Sequence, residues 1–527
     1  MARSLTFATL ILAGSNILSK VLGLLRDFVL AQAGGTSWRV DAYNLAFTLP
    51  DLINHFLGAG LMSITLIPLI TPALTKSDPK GRSPLEEASE IIHKILWPIL
   101  VLVVVISIVC FVFMESIIPL LTSEPLAQYI VDEAVRYTRI LLFAQVSFVG
   151  GGFFLAFQYA RNNYVFPALA PLLYNMGIIL GGVISIYWGD GSLDGFCWGV
   201  LIASLIGNFL VQVWGATKSG FVWSYPKVCW SPELRQYLLL TMPFLLAVGA
   251  SFSSEFVYKY FGGTGEGDIS SLGFGLRINM ALVGVFGGAV GVAGYPLMAR
   301  LCQDRNFSKV NELVFGTVEK IIVLLLPMCI ITAALAEPLV RLYLGGGAFG
   351  EDSIARVSLA LKYYLLSAIP MSALLIISRS FYAKKDTWTP SILTALAFLI
   401  SLPLYSLMEE MGSIRVPIIS SITVSLQFLS LSVMWIMKHP SPAYKGVIFT
   451  SLKLILPSIA LYYAAKAFSI TLDMEEVSRL GLLFYIPLVF GVSLIGFLVM
   501  IFSLKIDALF ELINKVWHKV SSQKSSH

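Results

Sequence analysis

The chain alternates long apolar stretches with short polar interruptions over nearly its whole length. Read between the polar breaks, this pattern predicts fourteen membrane-spanning helices, at roughly 5–33, 41–73, 91–119, 134–160, 164–188, 194–216, 236–261, 269–299, 313–335, 357–383, 388–408, 415–437, 446–470 and 480–504. These runs meet the roughly 20 residues that an α-helix needs to cross about 30 Å of hydrocarbon. Solid runs such as 95–113 lack the two-residue alternation of a transmembrane barrel strand. The expected fold is an all-α polytopic membrane protein. An even number of spans places both termini on one side.

Composition changes the picture in one respect, by excluding the soluble reading that 527 residues would otherwise invite. Charged residues make up 13% of the chain and hydrophobic residues 57%, with mean hydropathy +0.81; soluble globular chains carry roughly 25% charge. The net charge of +5 says little until the charges are placed. Counted loop by loop, about 23 Lys and Arg fall at the N-terminus, after even-numbered spans and in the tail, against about 7 after odd-numbered spans. Lys76, Lys80, Arg82, Lys384, Lys385, Lys505 and Lys515 belong to the first set. The opposite loops are acidic, as in Glu409-Glu410 and in Asp473, Glu475 and Glu476. The bias predicts cytoplasmic termini. The N-terminal apolar run ends in Ala31-Gln32-Ala33 like a signal peptide, but Lys20, Arg26 and Asp27 interrupt it, so an uncleaved first helix is expected.

Absent motifs narrow the chemistry. The five cysteines are scattered without C-x-x-C, and the five histidines lack metal-ligand spacing, so buried thiols and no protein metal site are expected. The glycine-rich stretches 262–267 and 345–350 lack the lysine and hydroxyl of a phosphate-binding loop. An ATP-driven pump is thereby disfavoured, leaving an ion gradient, the membrane potential or product consumption as energy source. There is no nucleophile elbow or paired-carboxylate motif, so a transporter is expected rather than an enzyme.

A faint internal repeat accompanies the span pattern. Tyr159-Ala160-Arg161 with Pro167 recurs as Tyr382-Ala383-Lys384 with Pro390, and Gly60 with Pro68 recurs as Gly288 with Pro296. Two six-helix halves of like orientation followed by two further helices produce such offsets, and parallel repeats place substrate between the halves. Helix breakers gather in the second span, where Pro50 and Pro68 bracket Gly58 and Gly60, and in the eighth, which holds Gly284, Gly287, Gly288, Gly291, Gly294 and Pro296. They suit either bending or close packing of helices.

Among the charges within or at the edges of predicted spans are Lys20, Arg26, Asp27, Asp41, Asp51, Glu255, Lys259, Arg277, Lys362 and Lys466. A charge at the bilayer centre costs about 2.5–3.5 kcal/mol or more, so each needs a partner, a wet cavity or a route to the interface. Lys259 and Lys466 lie near span ends and are expected to snorkel. Lys20 is mid-span and shares a helical face with Asp27 seven residues on, so a structural pair is one expectation; Arg26 lies about 100° around the helix from Asp27. These charges cluster in the first, second, seventh and eighth spans, with the basic ones Lys20, Arg26, Lys259 and Arg277 in the first, seventh and eighth. Arg26 and Arg277 carry planar guanidinium groups suited to bidentate phosphate binding, which points to an anionic substrate.

Several ordered motifs resemble the MurJ (MviN) lipid II flippase family. They are Ser19-Lys20-Val21-Leu22-Gly23-Leu24-Leu25-Arg26-Asp27, Asp41-Ala42-Tyr43, Phe47-Thr48-Leu49-Pro50, Gly265-Glu266-Gly267-Asp268-Ile269-Ser270 leading to Arg277, and Gly284-Val285-Phe286-Gly287 through Pro296. The most specific is Phe381-Tyr382-Ala383-Lys384-Lys385-Asp386-Thr387-Trp388-Thr389-Pro390, close to the family's Y-A-x-x-D-T-x-T-P. The resemblance runs from about residue 14 to about 440. It implies the multidrug/oligosaccharidyl-lipid/polysaccharide exporter superfamily, with two six-helix lobes around a central cavity. On that pattern residues 1–218 form an N-terminal lobe, 219–440 a C-terminal lobe, 441–504 two helices with a lipid-tail groove, and 505–527 a cytoplasmic tail. It further implies a bacterial inner-membrane flippase for lipid II, the undecaprenyl-pyrophosphate-linked disaccharide-pentapeptide. Membrane lipids and the cell-wall synthesis machinery are its expected partners, nucleic acid is not, and no cofactor is expected beyond an unassigned coupling ion.

By the family pattern Arg26, Asp41 and Arg277 match cavity positions required for activity, with Lys20, Asn54 and His55 as further substrate-path candidates. The chain also departs from that pattern. Asn54-His55 stand where the family commonly has a basic pair, Ala59 stands at a family acid, and Val257 stands at a sodium-binding acid with Glu255 two residues away. His55 could restore part of the missing charge when protonated. Competing readings are a multidrug or cation antiporter, which calls for an acidic cavity, and a membrane-embedded polyprenyl-phosphate enzyme, which calls for clustered carboxylates and a metal.

Overall fold

The computed structural model describes residues 2–75, 83–189, 191–226, 228–263, 265–284, 289–471 and 477–504. Lys76, Lys80, Arg82, Val285, Phe286, Gly287, Gly288, Asp473, Glu475, Glu476 and the 505–527 tail, all invoked above, lie outside the described residues.

Every predicted span coincides with a helix or with an interrupted run of helices. The first is α1 (Ala2–Gly34) and the second is α2 (Trp38–Ala46), α3 (Thr48–Leu57) and α4 (Ala59–Thr75). Then come α5 (Pro84–Ile117), α6 (Gln128–Ala160) and α7 (Val165–Trp188). The sixth span is α8 (Asp194–Ala203) and α9 (Val211–Lys218), joined by a π-helical stretch, Ser204–Leu210. The seventh is α10 (Pro232–Phe261), and the eighth comprises α11 (Asp268–Val283) and α12 (Ala289–Gln303). The remainder are α13 (Phe307–Ala334), a short unpredicted α14 (Ala336–Leu344), α15 (Glu351–Ala383), α16 (Trp388–Leu407), α17 (Arg415–Lys438), α18 (Tyr444–Thr471) and α19 (Arg479–Ser503). The fold is an all-α polytopic one; among the described residues, ten helical segments are individually long and apolar enough to cross a membrane.

Two kinds of boundary differ from the apolar pattern, each for a physical reason. Helices α5, α10 and α13 start several residues before their apolar runs, because the backbone continues helical until a side chain satisfies its first N–H groups. Ser83 and Glu86 form a capping box at α5, with Glu86 N donating to Ser83 Oγ at 3.3 Å and Ser83 N to Glu86 Oε2 at 2.9 Å. Ser231 and Asn306 cap α10 and α13 through a single bond each, accepting from Leu234 N at 3.0 Å and Lys309 N at 3.2 Å. The second span, expected as one helix, is instead broken twice. Pro50 has no N–H to give the carbonyl of Ala46, where α2 ends, and Gly58 is extended (φ −90°, ψ −176°) between α3 and α4.

The described chain forms two compact units, Met1–Ser270 with Gly346–Gly350, and Ser271–Gly345 with Glu351–His527. In the first unit α6 is central, packing against α2, α3, α4, α5, α8 and α9, and 72% of its most apolar stretch is buried. Helix α10 packs against α3, α4 and α5 and so belongs to this unit. Leu66, Ile92, Leu96, Phe153, Phe154, Phe157 and Phe221 form a core cluster there. In the second unit α15 is central, packing against α12, α13, α14 and α17, and α18 packs on α13 and α19.

The repeat is legible in local geometry. Helices α6 and α15 are each 33 residues long, and their two ends are offset by the same 223 residues as the Tyr-Ala-basic motif. Both end in one turn: Asn162 and Lys385 adopt left-handed φ of 56° and 62°. Asn163 N donates to Gln158 O at 2.9 Å, and Asp386 N to Phe381 O at 3.0 Å. After the second turn, the Asp386 carboxylate accepts from Thr389 N at 3.0 Å and Thr389 Oγ1 at 2.8 Å, so the motif's Asp and second Thr start α16. Burial raises the Asp386 pKa, but these bonds and Lys438 outweigh it and hold the carboxyl below its usual range.

Helices α7 and α8 meet through paired glycines, Gly177 and Gly181 against Gly195 and Gly199. A Cβ on Gly181 would stand 2.0 Å from Gly195 O, so only glycine permits this crossing. Gly181→Leu is therefore expected to lower thermal stability in detergent by about 1–3 kcal/mol or more. Gly496→Leu, where a Cβ meets nothing within 4 Å, should leave the melting temperature unchanged. Equal melting temperatures for both variants would refute this packing.

Candidate functional site

In the first unit, the charges expected to be isolated in apolar helices sit in three local arrangements. The first surrounds Arg26 on α1. Its Nη2 and Nε both donate to one carboxylate oxygen, Asp27 Oδ1, at 3.0 and 3.2 Å, while Nη1 reaches Asn175 Oδ1 on α7 only at 3.5 Å. The Arg26 side chain keeps 29% exposure against 8% for Asp27. The expected Lys20–Asp27 pair is not formed: Lys20 is exposed and has no ion-pair partner among the described residues. Adjacent Cβ directions diverge on a helix, but the arginine stem is long enough to swing its guanidinium back to Asp27. Asn175 is the residue the sequence reading missed. Its Nδ2 donates to Pro171 O at 2.9 Å and Ser19 Oγ at 3.3 Å, tying α7 to α1 beside Arg26. A lone asparagine within the apolar run of α7 was the available signal.

The second arrangement lies on α3 and α10. Lys259 Nζ stands 3.7 Å from Asp51 Oδ2, and the Lys259 side chain is 3% exposed. Lys259 therefore does not snorkel, because a carboxylate inside the unit offers its ammonium a nearer partner than the interface. One turn on, His55 Nδ1 lies 2.8 Å from Asp51 O, so the ring is held on its own helix. Asn54 is partly buried, with its Oδ1 against Gly58. Val257 is buried and Glu255 exposed, so these two near neighbours on α10 face different surroundings.

The third arrangement is built on Asp41, which is 2% exposed. Its Oδ2 accepts from Gly267 N at 2.6 Å and its Oδ1 from Ser270 N at 2.7 Å. Gly267 precedes α11 and Ser270 is its third residue, so these are the two N–H groups that a capping box would satisfy. Gly267 has no side chain to do so and has φ +84°, while Ser270 Oγ donates back to Gly267 O at 3.0 Å. Asp41 supplies both acceptors from a distant part of the chain and so fixes where α11 begins.

The 345–350 glycines also gain a role. Ala348 N donates to Gln32 O at 3.1 Å, satisfying a carbonyl in the last turn of α1. In the second unit, the Arg277 guanidinium lies over the Phe274 ring, 5.6 Å from its centroid, one turn away on α11. Among the described residues, no group of three or more His, Cys, Asp or Glu is placed to hold a metal ion.

A family model for the lipid II flippase MurJ matches residues 30–495. A probable lipid II flippase MurJ of Rhizobium meliloti (strain 1021) is 26% identical over 410 residues, covering 76% of this chain and 74% of its own length. Its counterpart in Bdellovibrio bacteriovorus is 23% identical over 474 residues, covering 89% and 87%. Among solved structures, a lipid II flippase MurJ in an inward closed conformation matches with TM-score 0.75 at 20% identity, over 95% of this chain and 100% of that one. An inward-facing multidrug MATE transporter of the MOP superfamily matches with TM-score 0.62 at 16% identity, over 80% and 94%. At such identities the structures establish a common fold, which flippase and drug exporter share. The family match is what separates them, because it extends from the last turns of α1 into α19: the chain belongs to the MurJ lipid II flippase family.

Proposed function

We propose that this protein flips lipid II, the pyrophosphate-linked peptidoglycan precursor, from the cytoplasmic to the periplasmic leaflet of the bacterial inner membrane by alternating access, with both termini in the cytoplasm. The observation that carries this reading is the family match over residues 30–495. It is a transport reading with no covalent step and no resident cofactor. Its energy comes from an ion gradient, the membrane potential or use of the product by the cell-wall synthesis machinery.

The geometry at Arg26 supports an anionic head group. Asp27 holds the Nε and Nη2 edge through a single oxygen, leaving Nη1 with one long contact to Asn175. The Nη1 side can receive a pyrophosphate oxygen without first breaking the ion pair, so the guanidinium is pre-oriented at low cost. Arg277 is the second cation in this reading. Asp41 acts differently: both of its oxygens are taken by backbone donors, so it positions α11, which carries Arg277 about two helical turns beyond Ser270.

Three outcomes test this. Arg26→Ala should retain folding but lose at least tenfold in lipid II translocation in proteoliposomes, and Arg26→Lys should recover only part because a lysine makes no bidentate contact; full transport by Arg26→Ala would overturn the mechanism. Asp41→Asn should lower the melting temperature, by about 1–2 kcal/mol of stability, in parallel with a partial loss of transport. Complete loss of transport with unchanged melting would instead make Asp41 a substrate contact. Lys259→Met should destabilise the protein by about 1–3 kcal/mol, and adding Asp51→Asn should restore part of that; strictly additive losses would mean that the pair is not coupled.

A further inference from the structure

The second unit contains a polar cavity that the transport reading does not use. It has a volume of about 390 Å³, within the roughly 300–1,000 Å³ range of small-ligand sites, and lies among the ends of α13, α14 and α18 and the early turns of α15. Ala333, Ala334 and Pro338 give it an apolar floor; Arg341, Lys362, Lys466, Glu337 and the hydroxyls of Tyr462 and Ser469 give it polar walls.

Charge accounting within the cavity leaves one cation over. Lys362 Nζ donates to Glu337 Oε1 at 3.1 Å. Arg341 makes a two-point pair with Glu351, Nη2 to Oε2 at 2.6 Å and Nη1 to Oε1. Lys466 lines the same cavity, is exposed, and has no hydrogen-bond or ion-pair partner among the described residues. The unmet charge is thus a single positive one, matched by a phosphodiester monoanion and not by a pyrophosphate.

The helix that carries Lys466 indicates where such a phosphodiester comes from. Leu456, Ile459, Tyr463 and Ile470 are 78%, 51%, 66% and 69% exposed on α18. With Lys466 their spacings are three, four, three and four residues, so all five lie along one helical stripe. An exposed apolar stripe on a membrane helix faces acyl chains. Lys466 stands one turn before the last member of that stripe, Ile470, and both line the cavity.

We infer that this cavity is a binding site for the phosphodiester head group of an anionic membrane phospholipid, with Lys466 as its charge partner and the α18 stripe along its acyl chains. Its occupant is a resident lipid rather than the transported one. Occupancy braces the ends of α13, α14, α15 and α18 against one another, because a single phosphate touches groups from several of them.

The test is native mass spectrometry of the full-length protein from nanodiscs containing phosphatidylglycerol and phosphatidylethanolamine. The wild type should retain phosphatidylglycerol preferentially. Lys466→Gln should reduce that retention about fivefold, the effect of one lysine near an anionic head group, with an unchanged melting temperature in lipid-free detergent. Lys466→Arg should restore it. Glu337→Gln, which releases Lys362 from its carboxylate, should increase retention. Equal retention by wild type and Lys466→Gln, equal retention of the zwitterionic lipid, or complete displacement of phosphatidylglycerol by millimolar inorganic phosphate would each overturn the inference, the last by making the cavity a site for the free ion.

Discussion

The constraint on which this structure depends is that hydrocarbon offers no hydrogen bonds, so every backbone N–H and C=O at membrane depth must find a partner inside the protein. Long uninterrupted helices such as α5, α6 and α15 meet it by themselves. Each interruption needs a substitute, and the substitutes here are specific groups brought from elsewhere in the chain. Asp41 closes the open N–H groups at the start of α11, and Ala348 closes a carbonyl at the end of α1. Arg479 does the same at α14, donating from Nε to Leu342 O at 3.2 Å. Where the π-helical stretch upsets the normal ladder, Gln212 Nε2 donates to Gly207 O at 3.1 Å. These four polar or backbone donors and acceptors are explained by the breaks next to them.

The same accounting governs the ions. Arg26 with Asp27 and Lys259 with Asp51 are pairs assembled within one unit, which removes most of the cost of holding a lone charge in the membrane. The two pairs differ in a way that suits different work. Lys259 is almost fully enclosed and faces Asp51 at 3.7 Å, an arrangement that holds α10 to α3. Arg26 is partly open and spends two of its donor positions on one oxygen. A cation that is restrained yet incompletely used is what reversible binding of an anion requires, since a fully satisfied guanidinium would have to break its own pair before engaging substrate.

Much of this was legible in the sequence because the membrane simplifies the code. Apolar run length reports hydrocarbon thickness, so each predicted span overlaps a helix and ten helical segments among the described residues are long and apolar enough to cross a membrane, while the 223-residue offset read from a short motif recurs in the ends of α6 and α15. Helix ends were less legible, because Ser83, Ser231 and Asn306 extend helices through residues too polar to register as a span. Partners of charges were the least legible. Helical-wheel reasoning pairs Lys20 with Asp27 by direction, but the reach of a long side chain decided for Arg26, and Lys259 found a partner more than 200 positions away in sequence. Asp41 shows the limit most clearly: its identity marks it as important, but only three-dimensional placement shows that both oxygens hold backbone.

That placement bears on how a carboxylate can matter to transport of an anion at all. A negative charge near a pyrophosphate path is unfavourable if it faces the substrate, so an acid needed for such transport calls for another explanation. The cap provides one. By neutralising the partial positive charge at the start of α11, Asp41 fixes the register of the helix on which Arg277 sits, and it does so with a group whose own charge is compensated by two short backbone bonds. An acid can then matter to transport of an anion without facing it, by deciding where a helix begins.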